Sequence, residues 1–361
     1  MTPIRRFALY WPGGELLDIH WTKDVGGIPM ALKESGLDSV LIVGRLSARV
    51  PSAAPSVITT VSEGRVGPLE ELRLAHACIH KERLTDVLVL RRGRLYLLLA
   101  LWEALAGLVW GPRRRWILKL DWDGVAASRI EKVLWGPLLA LCVAIFDKVV
   151  IETTCGLRRA APMALRAPNF VVVPDGVASC FTPVKYESVP RAFRVLSVAR
   201  LTRSKGIHEL IEAFSLVSGE FPGWSLRIVG AAEDLDYLRE VRELIVQFKL
   251  GGVVELIDGF VPDLRTEYLE ASIYCHGSFR ESFGISRIEA MSCALPVVTT
   301  DSGCAEDLKG WGAWVVPKGD VRAMASALRK LMASEELRRH TGNRSALLVP
   351  RWAHCARQLF D

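Results

Sequence analysis

At 361 residues the chain is long enough for two domains of ordinary size, each with its own core. Half of the residues are apolar and 24% are charged, which excludes an intrinsically disordered chain. The net charge of +6 is uneven: residues 1–185 hold 24 Lys/Arg against 17 Asp/Glu, and residues 186–361 hold 22 against 23.

Phe7–Trp11 reads as a first strand. Asp24-Val25-Gly26-Gly27 precedes a helical pattern through Met30, Leu32 and Lys33 that Gly36 breaks, and Ser39–Val43 is a buried strand. Gly26 and Gly27, at a strand-to-helix junction, would let a substrate approach the backbone; the alternative is an ordinary turn. Residues 51–70 suggest loop and a short strand, and Thr85–Leu90 a buried strand. His76 and His80 stand four apart on an expected helix. That spacing can hold a metal, but no third ligand is evident and HExxH is absent, so surface or packing histidines are expected.

Leu95–Trp110 is an apolar run interrupted only by Glu103, and it ends in Pro112 and Arg113–Arg115. A second run, Val133–Phe146, contains Gly136-Pro137. Both are short for membrane spans. They read as core helices, or as a membrane-facing patch with arginines on lipid phosphates and tryptophans at the interface. Trp116–Leu120 is a strand ending in Asp121-Trp122-Asp123-Gly124. At the carboxyl end of a strand, Asp121 or Asp123 could orient or deprotonate an acceptor hydroxyl; the alternative is turn chemistry. Their Asp-x-Asp spacing is taken as coincidence rather than a metal motif. Lys148–Ile151 and Val171–Val173 complete the first half, and a linker without periodicity follows at roughly 178–192.

The alternation then restarts with the strand Val195–Ala199, the loop Arg200–Gly206 and a helix from Ile207 to Val217. Arg200 and Lys205 flank a loop at a strand's carboxyl end. Two cations there suit a diphosphate and the charge that builds on it as its bond to a sugar breaks. Further strands are expected at Leu226–Gly230 and around Val253–Val261. The densest chemistry lies in Ser278–Glu306, where Glu281 and Glu289 stand eight apart with Phe283-Gly284 between them. The strand Ile273–Cys275, a helix through Ile285, Ile288 and Met291, and the strand Val297–Thr300 frame it as a βαβ unit. Glu281 then sits where open parallel sheets bind ligands. Gly284 permits close backbone approach, and the amides of Gly284, Ile285 and Ser286 offer donors to a phosphate. Glu289 suits two neighbouring hydroxyls, as on a ribose, or a purely structural capping box with Ser286.

The segment ESFGISRIEAMSCALPVVTTDSG resembles the donor-binding segment of retaining glycosyltransferases of the GT-B fold, family 4, among the glycosyl transferases group 1. Ala199-Arg200-Leu201 with Lys205-Gly206 is similar to that family's Gly-Arg-Leu…Lys-Gly motif, Ala199 standing where Gly is usual. The resemblance implies donor-sugar contact by Glu281, ribose contact by Glu289, and pyrophosphate binding by Arg200 and Lys205. Phe283, Gly284 and Ile285 would belong to the donor site, and Gly26-Gly27 matches the family's N-terminal glycine loop. Where the family often has a His after a first-half strand, this chain has Asp121.

The reading is an α/β chain of two Rossmann-like domains facing a cleft. An acceptor-binding domain is expected over 1–177, a nucleotide-sugar-binding domain over 193–340, and a terminal helix in 341–361 packing back on the first. The activity implied is sugar transfer from a UDP-, GDP- or ADP-sugar to an acceptor hydroxyl, with retention and without metal or cofactor. A lipid-linked or glycan acceptor and peripheral membrane contact suit the basic first half and the apolar runs; nucleic acid is not expected. A non-catalytic nucleotide-binding protein or a sugar-nucleotide epimerase are the alternatives. Eight scattered cysteines and no secretory signal suggest reduced thiols and a cytoplasmic location.

Overall fold

The computed structural model of the chain describes residues 6–55, 57–60, 73, 76–80, 84–90, 94–109, 114–121, 129–159, 167–261 and 263–361. The chain forms two compact units: Met1–Ser179 with Pro350–Asp361, and Cys180–Val349.

Unit 1 carries seven strands: β1 (Phe7–Leu16), β2 (Ser39–Leu46), β3 (Val57–Thr60), β4 (Asp86–Leu90), β5 (Arg115–Leu120), β6 (Lys148–Ile151) and β7 (Phe170–Val172). All pair in parallel, in the order β3-β2-β1-β4-β5-β6-β7. Val40–Val43 and Val87–Leu90 are buried throughout, as expected of strands covered on both faces. Because β1 pairs with both β2 and β4, the crossovers leave it toward opposite edges. The two apolar runs are helices, Arg94–Val109 and Arg129–Ile145. They bury Ala100, Leu101, Ala104, Leu139 and Cys142 in the core but leave Leu98, Trp102, Leu105 and Leu141 exposed. Among the described residues no helix is long and apolar enough to cross a membrane.

The final helix, Trp352–Phe360, belongs to unit 1 and packs on the helix Asp24–Glu34. This contact corrects the expectation for Gly26 and Gly27. Neither opens a ligand loop; both are buried inside that first helix. A β-carbon on Gly26 would lie 2.6 Å from Trp21 Cα, and one on Gly27 2.5 Å from the Trp352 ring. The missing side chains make room for this packing. Gly176 is tighter still, 2.2 Å from the Trp352 backbone nitrogen.

A buried ionic network ties four elements of this unit. The Lys119 ammonium on β5 reaches Asp175 at 2.9 Å and Asp24 at 3.4 Å, and also contacts Glu152 at the end of β6. All four side chains are nearly sealed from solvent. Burial pushes the Glu152 carboxyl well up and Asp175 up to about 6. Burial works against the Lys119 charge, but the Asp175, Glu152 and Asp24 carboxylates outweigh it and raise its pKa.

Unit 2 carries β8 (Arg194–Val198), β9 (Ser225–Gly230), β10 (Val254–Asp258), β11 (Ile273–His276), β12 (Val297–Thr300) and β13 (Trp314–Val316), all parallel, in the order β10-β9-β8-β11-β12-β13. Its core joins the apolar faces of the helices Ile207–Ser218, Leu235–Gln247 and Val321–Ala333 to the sheet. The break expected after residue 340 instead falls inside the helix Glu335–Leu348, which stays with unit 2.

Lys119→Met strands three buried carboxylates, so unit 1 should lose about 3–5 kcal/mol. Trp352→Ala should cost about as much, roughly 3–5 kcal/mol, by emptying the space against Gly27. Urea titration followed by circular dichroism checks both; a wild-type midpoint for Lys119→Met would refute the role given to the network.

Candidate functional site

In unit 2, β8 and β11 lie side by side and their crossovers leave in opposite directions, a topological switch point where open parallel sheets bind ligands. The loop after β8 forms a short 3-10 turn, Arg203–Lys205, closed by Gly206 at φ +62. The loop after β11 runs from Gly277 to Gly284. The two loops meet backbone to backbone: a β-carbon on Gly206 would lie 2.0 Å from the Gly277 carbonyl oxygen. The Phe279 amide donates to the Ser204 carbonyl at 2.8 Å.

This contact brings Lys205 onto Glu281. Lys205 Nζ lies 2.5 Å from Glu281 Oε1, with 12% and 11% of the two side chains exposed. The same carboxylate oxygen takes hydrogen bonds from His276 Nε2 at 2.8 Å and Ser278 Oγ at 3.1 Å. Burial alone would raise the Glu281 pKa. The His276 hydrogen bond and charge, then Lys205 and Arg287, hold it well below the usual carboxylate range. Burial lowers the His276 pKa, against the opposing pull of Glu281. The arrangement is a fixed carboxylate beside an ammonium, within reach of solvent.

Arg200 does not join this pair. It is exposed and bonded to Glu233 at 2.5 Å. Gly284 takes φ +80 and starts the helix Ile285–Ser292, and its missing side chain leaves room for the Arg287 guanidinium, 2.6 Å from where a β-carbon would be. Arg287 is fully buried and donates to Thr299 Oγ1 and to the Ser302 and Phe283 carbonyls, which pins the Glu281 loop to the loop after β12. Gly284 and Ile285 are partly exposed, Ile285 on the first turn of that helix.

Two residues expected at the donor site are buried in the structure. Phe283 is buried, its ring toward Trp311 and its carbonyl accepting from the buried Arg287 and Cys304. Glu289 is also fully buried, and the Tyr268 hydroxyl donates to its Oε2 at 2.9 Å. Five residues past the partly exposed Gly284, its side chain lies in the interior.

In unit 1, Asp121 stands exposed just past the end of β5, beside the buried Lys119 network, and Asp123 lies outside the described residues. The sequence reading missed His276, Ser278 and Arg287. His276 ends an apolar strand at its carboxyl end, a signal that was available; Arg287 carried none, because its partners are neutral groups, two carbonyls and a hydroxyl among them.

Residues 182–347 match the family model described as glycosyl transferases group 1. CapM of Staphylococcus aureus, a capsular polysaccharide biosynthesis glycosyltransferase, is 32% identical over 148 residues, 40% of this chain and 38% of CapM. The poly(glycerol-phosphate) alpha-glucosyltransferase of Bacillus subtilis is 28% identical over 170 residues, 46% of this chain and 25% of that protein. The matches thus span well under half the length of either relative. The structure of Anabaena HepE in complex with UDP superposes with a TM-score of 0.73 at 17% identity, covering 99% of this chain and 98% of that one. The likeness extends over both parallel sheets and gives the fold as GT-B. The match to the glycosyl transferases group 1 family model thus falls within unit 2, which holds the Lys205–Glu281 pair.

Proposed function

We propose that the chain is a retaining glycosyltransferase that moves a sugar from a nucleotide-sugar to an acceptor hydroxyl in polysaccharide or glycan synthesis. The observation that carries this reading is the meeting of Lys205 Nζ and Glu281 Oε1 at the β8–β11 switch point. A bound diphosphate would draw Lys205 to itself and free Glu281 to accept from hydroxyls of the donor sugar. Lys205 would then offset the charge that develops on the leaving diphosphate. Arg200 could add to this, since exchanging an exposed pair with Glu233 costs little, about 0–1 kcal/mol. The amides opening the helix Ile285–Ser292 favour the same anion, so the proposal includes no metal. Glu289 would reach the ribose only if the ligand's hydroxyls replaced that of Tyr268. Asp121 remains a candidate on the acceptor side.

HepE, of similar fold, holds UDP-glucose in a further crystal structure, so UDP-sugars come first in a donor screen ahead of GDP- and ADP-sugars. A donor that binds only the folded state raises the melting temperature. With that donor, Lys205→Ala and Glu281→Gln should each lower kcat by about 100-fold or more while leaving the circular dichroism spectrum unchanged. Normal turnover in either variant would sink the assigned roles.

The acceptor is proposed to be lipid-linked, reached from the membrane surface. Leu98, Trp102 and Leu105 repeat at i, i+4 and i+7 and form one exposed apolar stripe on a helix of the basic half. Sedimentation with anionic vesicles at low salt should capture the protein, and Trp102→Glu should weaken capture by about tenfold. Equal capture of both proteins would remove this part of the proposal.

His276 supplies a pH signature. Its ordinary value is near 6.5, and burial lowers it in the folded chain. Below about 6.5 the unfolded chain therefore binds the extra proton and the folded chain resists it, so stability falls as pH falls. Glu281, whose folded value is also depressed, adds a second loss only below the ordinary carboxylate range. Urea midpoints should drop from pH 7 to pH 5, and His276→Gln should flatten that slope. An unchanged slope in the variant would assign the signal elsewhere.

A further inference from the structure

Two features of unit 1 play no part in the site above: the histidine pair and the lone acid of the apolar helix. Residues 76–80 are helical, which puts His76 and His80 on one face. Glu103 lies in the middle of the helix Arg94–Val109 and is 3% exposed, so a bare carboxylate there is costly unless a positive partner meets it. The two features meet each other. His76 Nδ1 contacts Glu103 Oε1, and His80 Nε2 lies 3.1 Å from Glu103 Oε2. The three ligand atoms fall within 4.8 Å of one another. The imidazole rings lie 4.4 Å apart, centroid to centroid.

We propose that His76, His80 and Glu103 form a site for a divalent transition ion of the zinc class, which staples the 76–80 helical segment to the helix Arg94–Val109. Two imidazoles and a carboxylate are the donor set that such ions take, each at about 2.0–2.2 Å. A tetrahedral ion at those distances spaces its ligand atoms about 3.3 Å apart, so the ligands need only small shifts to accept it. The histidine side chains are 50% and 44% exposed, so an ion can enter from solvent and keep water in its fourth position. Arg114 is the competing cation. Its Nη2 approaches His80 Nδ1 at 3.4 Å, and metal at Nε2 would leave the proton on Nδ1 and turn the guanidinium away.

The test is titration of the full chain with Zn²⁺ and Co²⁺ by calorimetry and visible absorption. The expected result is one equivalent bound, a cobalt ligand-field band without the intense thiolate charge-transfer band, and a rise in melting temperature. Affinity should fall at least tenfold in His76→Ala and His80→Ala, whose exposed side chains can be removed without emptying the core. Arg114→Leu, which removes the rival cation, should bind at least as tightly as the wild type. Absence of binding, equal affinity in the histidine variants, weaker binding in Arg114→Leu, or a thiolate band placing the ion on the cysteines would each overturn the proposal.

Discussion

The candidate site depends on a contact between two glycines. Gly206 ends the loop after β8 and Gly277 begins the loop after the neighbouring β11, and any side chain on Gly206 would collide with the Gly277 carbonyl. Only with both backbones at that distance can the loops close on each other. Lys205 and Glu281 flank this contact on the two loops and are therefore held together. The parallel order of the sheet decides the rest, because β8 and β11 are neighbours whose chains then part to opposite edges. An ammonium and a carboxylate thus reach one place from residues 76 positions apart.

The two glutamates of the same segment show how burial sorts similar chemistry. Glu281 is on the loop, bonded to His276, Ser278 and Lys205, and strongly favours its charged form. Glu289 begins the second turn of the following helix and turns inward to Tyr268. Spacing along the chain puts both near the loop; the helix rotation between them separates solvent from core. Arg287 occupies the intervening face and ties the Glu281 loop to the loop after β12 by donating to the Phe283 and Ser302 carbonyls.

Much of the architecture was legible because parallel strands buried on both faces read as unbroken apolar runs, and nearly every strand was anticipated to within a residue or two at each end. The exceptions were β1, which continues to Leu16 through an irregularity between Trp11 and Glu15, β2, which runs on past Val43 to Leu46, and β10, which stops at Asp258 short of Val261. The loop carrying Lys205 and the loop carrying Glu281 were legible from motif and strand ends. What local spacing could not show was the packing against side chains elsewhere in the chain. Gly26 and Gly27 looked like a ligand loop because their occupants, Trp21 and Trp352, are not visible in local spacing. Phe283 looked like a donor contact because nothing local places Trp311 beside it.

Charges set in apolar runs form the instructive class. Lys119 interrupts the run of β5, and Glu103 interrupts the helix Arg94–Val109. Either could have been taken as a tolerated surface residue. A charge sealed in the interior cannot stand alone, so each implies an opposite group arriving from elsewhere in the chain. For Lys119 that group is threefold: Asp24, Glu152 and Asp175 come from the start of a helix and the ends of two further segments. At Glu103 the partners are the histidine pair 23 and 27 positions earlier, which contacts its carboxylate, and the nearby Arg114 guanidinium. The local sequence cannot name these partners, but it does announce the need for them. A buried ion inside an otherwise apolar segment is therefore a long-range constraint written into a short stretch of chain, and the acidic and basic residues left over at other element ends are where to look for its counterpart.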